Sequence, residues 1–358
     1  MTTSELAQIR LHNQRIAGAR FKRPADVVAW LGAVQAQDYL GSLWAVGLRM
    51  SNAVEADIER AIADRTIIRT WPMRGTLHFV AAADIRWMLE LLTPRIVAGS
   101  AQRLHRQSGL DEATFSRSKD LFERALRGGK RLTRNAMYKV LEEDGISTAS
   151  YRGLHILGRL AQDGFICFGS REGKQQTFAL LDEWAPTAKR MERDESLAEI
   201  ARRYFTSHGP ATLQDFAWWS GLTMADARSG IEMAKRRLVQ EVINGQTYWL
   251  ASSIGAVKDP SPTAYLLPAF DEYTVAYKDR SAMLDPKNTK QVNSGNGILY
   301  PTIVVDGQVV GTWKRKLGKD AIVITPSTFA KLNRAETRSL VEAAGRYGKF
   351  LDASVLLS

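Results

Sequence analysis

Hydrophobic and polar positions alternate between helical and strand spacing in blocks, and residues 133–181 show the clearest block. Thr133 is placed to cap a short helix carrying Met137, Val140 and Leu141, which Gly145 ends. A second helix, from about Ala149 to Gln162, sets Leu154, Leu157, Leu160 and Ala161 at inward spacing. Asp163-Gly164 breaks it, Phe165–Phe168 reads as a strand, and the polar tip Gly169–Lys174 turns the chain into a second strand, Gln175–Leu181. Helix, helix and basic-tipped hairpin is the winged-helix order, in which the second helix is offered to a groove. The order recurs at 194–250, with a Thr212-capped helix, a helix from Thr223 to Arg237 and a hairpin turning at Asn244-Gly245. The first 80 residues fit more loosely, with helices expected from about Pro24 to Gln35 and from Ala53 to Asp64, and strands at Thr66–Trp71 and Gly75–Val80.

Residues 251–358 break the pattern. Tyr265–Tyr273 reads as a strand entering a polar loop, Thr302–Val305 and Val309–Trp313 as a hairpin, Ala321–Thr325 as a strand, Pro326-Ser327 as a helix start and Ser354–Ser358 as a closing strand. The expected fold class is therefore α+β: about three tandem winged-helix units forming a curved DNA-binding array, with a small mixed α/β C-terminal module. The expected divisions are 1–92, 93–190 (basic helices and the second winged helix), 191–252 and 253–358.

With 358 residues the chain has room for two or three cores. No apolar run approaches the ~20 residues that span a bilayer, and the opening MTTSELAQIR has no signal-peptide core, so a cytoplasmic, nucleoid-associated monomer is expected. The single cysteine, Cys167, excludes an intramolecular disulfide and a cysteine-based zinc cluster, and its apolar surroundings predict a buried, inert thiol. Charge adds more. The net charge of +11 and pI near 9.7 favour a polyanionic partner. Between Arg95 and Lys139 there are 11 Lys or Arg against four acids, a one-sided stripe suited to phosphates. Arg152, His155 and Arg159 share one face of the second helix at 149–162, with Arg171 and Lys174 at the following hairpin tip.

Signatures for metal, nucleotide and nucleophile chemistry are absent, and His78, between Leu77 and Phe79, reads as a core residue. No cofactor and no metal are expected. Gln35-Ala36-Gln37 is unusual on physical grounds. Amides at i and i+2 point about 200° apart on a helix but lie on one side of extended backbone, so their convergence needs the chain to break, which Tyr39–Ser42 permits. Two such amides supply donors and acceptors without charge; they orient a water or read a base edge.

VQAQDY at 34–39, RTWPMRGTLHFV at 69–80, LLPAFDEYTVAYKDR at 266–280 and PTIVVDGQVVGTWKRK at 301–316, in that order, resemble the AlkZ-like winged-helix DNA glycosylases over nearly the whole chain. The resemblance implies excision of alkylated purines and unhooking of interstrand crosslinks, with double-stranded DNA carrying alkyl lesions as the partner. The family motif takes the form Gln-apolar-Gln, His-apolar-Gln or Gln-x-Asp. Gln35-Ala36-Gln37 matches the first, associated with crosslink unhooking, so the resemblance implies that Gln35 and Gln37 hold the attacking water. Asp38 is a local candidate for stabilising positive charge on the sugar. No lysine sits beside the motif, which favours hydrolysis over Schiff-base chemistry.

Asp271 and Glu272, with Tyr273 and Asp279, are a rival acidic set; their competing reading is a turn tied by Arg280 and Lys278, favoured because adjacent strand residues project to opposite sides. Trp71, Trp218 and Trp219 read as core. The DNA-contact candidates are Arg69, Arg74, Arg103, Arg106, Arg134, Arg152, His155, Arg159, Arg171, Lys174, Lys314, Arg315 and Lys316. The charge and helix order suit a non-catalytic winged-helix regulator equally; the paired amide and the lack of a ligand-sensing segment favour the enzyme. An RNA-binding protein is a third reading, for which no RNP-type aromatic motif is present.

Overall fold

A computed structural model describes residues 2–251, 262–295, 297–318 and 321–358. The chain is mixed α and β. It divides into two compact units, Met1–Ile58 with Leu197–Ser358, and Glu59–Ser196. The expected boundary at 252–253 lies outside the described residues.

In the first unit the motif follows helix Pro24–Leu31. That helix stops at Gly32, whose φ of 80° an L side chain rarely adopts. The expected extension to Gln35 is therefore wrong: Val34–Gln35 is an extended pair, and Gln37 sits in a bend. Tyr39–Ser42, expected to be the break, instead opens helix Tyr39–Gly47. Asp38 caps this helix by accepting a hydrogen bond from Gly41 N at 3.2 Å. A Cβ on residue 41 would stand 2.5 Å from an Asp38 carboxylate oxygen, so the cap needs glycine there.

Helix Tyr39–Gly47 is anchored on the C-terminal sheet by Trp44, which with Trp313 of the sheet brackets Tyr347. Trp44 Nε1 donates to Leu266 O at 2.7 Å and Trp313 Nε1 to Leu267 O at 2.8 Å. Both indoles meet the Tyr347 ring edge-on, with centroids 5.1 and 5.2 Å apart. The sheet has five strands in the order Val355–Leu357, Ile322–Thr328, Gln308–Leu317, Thr302–Val305, Ala264–Leu267, backed by helix Arg334–Phe350. All neighbours are antiparallel except the pair involving Val355–Leu357. Two expectations fail here. Pro326 does not start a helix but lies in a strand opposite Trp313, and the basic run Lys314-Arg315-Lys316 belongs to the strand rather than following it. Lys314 and Lys316 are exposed, while Arg315 turns to the other face, 5.7 Å from the Tyr347 ring centroid.

Helices Leu213–Ser220 and Met224–Ala234 precede the hairpin Leu238–Ile243/Gln246–Ala251, which turns through left-handed Asn244 and Gly245. The second helix ends at Ala234, before a single 3-10 turn at Lys235–Arg237.

The second unit holds hairpin Ile67–Met73/Thr76–Ala81, turning at Arg74-Gly75 with an irregularity between Thr70 and Met73, where Pro72 withholds its N–H. Helices Pro94–Ser108, Glu112–Leu126, Arg134–Glu143 and Arg152–Gln162 surround a core of Phe115, Phe122, Met137, Ile156, Leu157 and Phe178. A three-stranded sheet, ordered Leu132–Thr133, Thr177–Leu180, Ile166–Phe168, completes it. Leu154, expected inward, is 39% exposed. Cys167 is buried, as expected, and burial pushes its thiol pKa up, which keeps it protonated and unreactive. His78 is buried as expected, with Nδ1 3.0 Å from Thr76 O and Nε2 3.3 Å from Arg74.

Candidate active site

Gln35 is 8% exposed and Gln37 is exposed. With the segment extended at Val34–Gln35 and bent at Gln37, helical geometry no longer drives the two amides apart, which removes the obstacle that the periodicity raised.

What holds the motif is Glu272. Its side chain is fully buried; Oε1 accepts the Gln35 backbone N–H at 2.8 Å, and Oε2 accepts Trp219 Nε1–H at 2.9 Å. One carboxylate thus ties the motif to helix Leu213–Ser220 with two charge-assisted hydrogen bonds. His208 lies beneath the same carboxylate, with Nε2 3.5 Å from Oε2, Nδ1 2.8 Å from Ser207 Oγ, and its ring stacked on Tyr204 at 4.9 Å.

Asp271 is equally buried and has a different task. It forms a bidentate pair with Arg49, Nη1 to Oδ2 and Nη2 to Oδ1 both at 2.8 Å, and caps the short helix Glu272–Val275 through Tyr273 N. Arg49 spends its remaining donors on Gln14 O, Gln14 Oε1 and Ala45 O at 2.8–2.9 Å. Gln14 continues to the Tyr277 hydroxyl, which donates to His208 O at 2.7 Å. A connected set of buried donors and acceptors therefore surrounds the floor of the motif, and such a set fixes geometry as well as stability.

The turn reading of 271–280 holds for Arg280, which donates to Thr274 O within the segment, but not for Lys278 or the first acid: Asp271 pairs with Arg49, and Lys278 N and Asp279 N donate to Asp215 Oδ1. The opposite-sides argument also lapses, because the two acids open a helix instead of lying in a strand. Trp219 is buried as expected, but its N–H serves Glu272; Trp218 is 47% exposed rather than core. Arg49, His208, Gln14 and Tyr277 carried no signal that sequence reasoning isolates, since each becomes meaningful only through a partner far along the chain.

Burial lowers the His208 pKa below its ordinary 6.5, outweighing the Glu272 carboxylate, with the Arg49 charge adding to the depression. His208 is therefore neutral near pH 7. The unfolded chain binds this proton more readily than the folded one, so stability is lost as pH falls through about 6.5. The His208 share of that loss is at most about 1.4 kcal/mol per pH unit. Urea unfolding between pH 8 and 5.5 should show a shallower pH dependence for His208→Asn than for the wild type; equal slopes would contradict the assignment.

The DNA-contact candidates separate by environment. Arg103, Arg106, Arg134, Lys174, Lys314 and Lys316 are exposed, Arg74 and Arg315 are half-buried, and Arg69 is buried. The face built from Arg152, His155 and Arg159 is engaged internally: Arg152 Nε donates to Ser147 O, His155 Nδ1 lies 3.2 Å from Ser108 Oγ, and Arg159 pairs with Glu112 and Asp163. Arg171 pairs with Glu59.

Comparison with known proteins completes the picture. A family model described as DNA glycosylase AlkZ-like matches residues 28–350. The chain is 27% identical over 343 residues to an interstrand DNA cross-link repair glycosylase of Streptomyces sahachiroi, covering 91% of this chain and 90% of that protein. Its fold is similar to the solved structure of the Streptomyces sahachiroi DNA glycosylase AlkZ, with a TM-score of 0.83, 22% identity and all of both chains covered. The chain belongs to the AlkZ-like DNA glycosylase family, enzymes that cleave glycosidic bonds in DNA.

Proposed function

We propose that this enzyme hydrolyses the N-glycosidic bond of N7-alkylated purines in double-stranded DNA, interstrand crosslinks included. The observation that carries the reading is the buried Glu272 clamp, which holds the Gln35 backbone beside an exposed Gln37. The name of the Streptomyces sahachiroi relative supports crosslinks as substrates.

An N7-alkylated purine already carries positive charge, so its bond to C1′ is weakened before any residue acts. In the proposed reaction water attacks C1′, the C1′–N9 bond breaks, its electron pair neutralises the purine ring, and the spent water proton passes to solvent. Gln35 and Gln37 position the water. Asp38, exposed and one residue further, supplies negative charge toward the oxocarbenium-like sugar while capping its helix. A mild catalyst of this kind works by proximity and preorganised dipoles. The segments 133–181 and 212–251 are proposed as winged-helix units that carry the duplex, with exposed Arg103, Arg106 and Arg134 on phosphates. Chromatography of the products from alkylated duplex tests this: free N7-methylguanine and an uncleaved abasic strand are expected. Strand nicking at the lesion, or binding without release, would reject it.

A further inference from the structure

Within helix Arg152–Gln162 the exposed residue is apolar: Leu154, at 39%, while Tyr151, the left-handed N-cap, is 75% exposed. Gly158, one turn on, has open space where a side chain would stand. Leu154 borders a cleft of about 460 Å³ within the second unit, a volume in the range of small-ligand sites.

Three chemistries meet in this cleft. Its apolar floor is Leu77 and Leu154 over the packed rings of Trp71, Phe168 and Phe178, whose centroids lie 5.1 and 4.6 Å apart in sequence. The amides of Asn135, Gln175 and Gln176 line it with paired donors and acceptors. Arg134 and Lys174 stand exposed at the border, and Arg69 lies below, with its guanidinium carbon 4.9 Å from the Phe168 centroid. No acidic residue is among the described lining.

We infer that this cleft receives one unpaired nucleotide of bound DNA. The base lies on the Leu154 floor, the amides meet its edge, and the flanking phosphates pair with Arg134 and Lys174. An apolar floor with edge-reading amides suits an unstacked base, whereas an intact duplex presents only phosphates and groove edges to a surface of this kind. The inference rests on the proposal that DNA is the substrate, but not on which lesion is excised.

Fluorescence anisotropy with the full-length protein tests it, using a paired duplex, the same duplex with one extrahelical guanosine, and deoxyguanosine monophosphate. The bulged duplex should bind about tenfold more tightly than the paired one, as expected for one accommodated base. Leu154→Glu should abolish that preference, so that bulged and paired duplexes bind with equal affinity, whatever the change in the affinity for paired duplex itself. Arg134→Ala with Lys174→Ala should weaken both duplexes. Equal affinity for the two duplexes, or a preference that survives Leu154→Glu, would overturn the subsite without touching the glycosylase reading. Tight binding of the free monophosphate with no bulge preference would overturn it in favour of a small-molecule ligand.

Discussion

Glu272→Gln should lower the single-turnover rate of base excision about 100-fold while leaving DNA affinity within a factor of two or so, because a displacement of about 1 Å at a water-positioning group costs that much. The carboxylate accepts two N–H groups, from Gln35 and from Trp219. A carboxamide offers one oxygen and one NH2, so one of these donors meets a donor and the motif shifts. Trp219→Phe separates positioning from mere folding. It removes the indole donor but leaves the Gln35 bond to Glu272 in place, so the excision loss should be below about tenfold, less than a mispositioned reactive group costs. If Glu272→Gln excises at the wild-type rate, or if Trp219→Phe is as damaging, Glu272 does not position Gln35.

Arg49→Ala should be the most destabilising single change at the site, by about 3–5 kcal/mol in urea unfolding. All of its guanidinium donors are engaged in the buried interior, and removing them strands the Asp271 carboxylate without its partner. Asp271→Asn in the same chain should recover part of the loss, since an amide without a partner is less costly to bury than a charge. An additive double variant would mean that the pair contributes no coupling.

The parts of the fold that were legible are those whose signals are local. Asn244-Gly245 demanded a tight hairpin, and a hairpin forms there with both residues left-handed. Thr133 and Thr212 announced helix starts, and both side chains accept the expected backbone N–H. Where a residue serves two patterns the reading failed. The helix expected from Pro24 to Gln35 ends instead at Gly32, whose left-handed φ breaks it. Leu154 fitted an inward heptad yet borders a cleft, because the charged residues beside it are the ones packed against neighbouring helices.

The candidate site was half legible for the same reason. Gln35 and Gln37 stood out as a local oddity, and Asp271 and Glu272 as an acidic pair, but their connection did not. The bond from Gln35 N to Glu272 spans 237 positions, and Arg49 reaches Asp271 across 222. Nothing in the spacing of either segment points to the other. By sequence alone the acids compete with the amides for the catalytic role, whereas Glu272 holds Gln35 in place and Asp271 holds the element that carries Glu272.

In the proposed reaction Gln35 and Gln37 position the water that cleaves an N7-alkylpurine from DNA. Release of N7-methylguanine from methylated duplex, measured for wild type and for Gln35→Ala with Gln37→Ala at matched DNA occupancy, tests it most directly. The wild type should release the base rapidly and the double variant not above background, with DNA binding retained. Wild-type release by the double variant would contradict it.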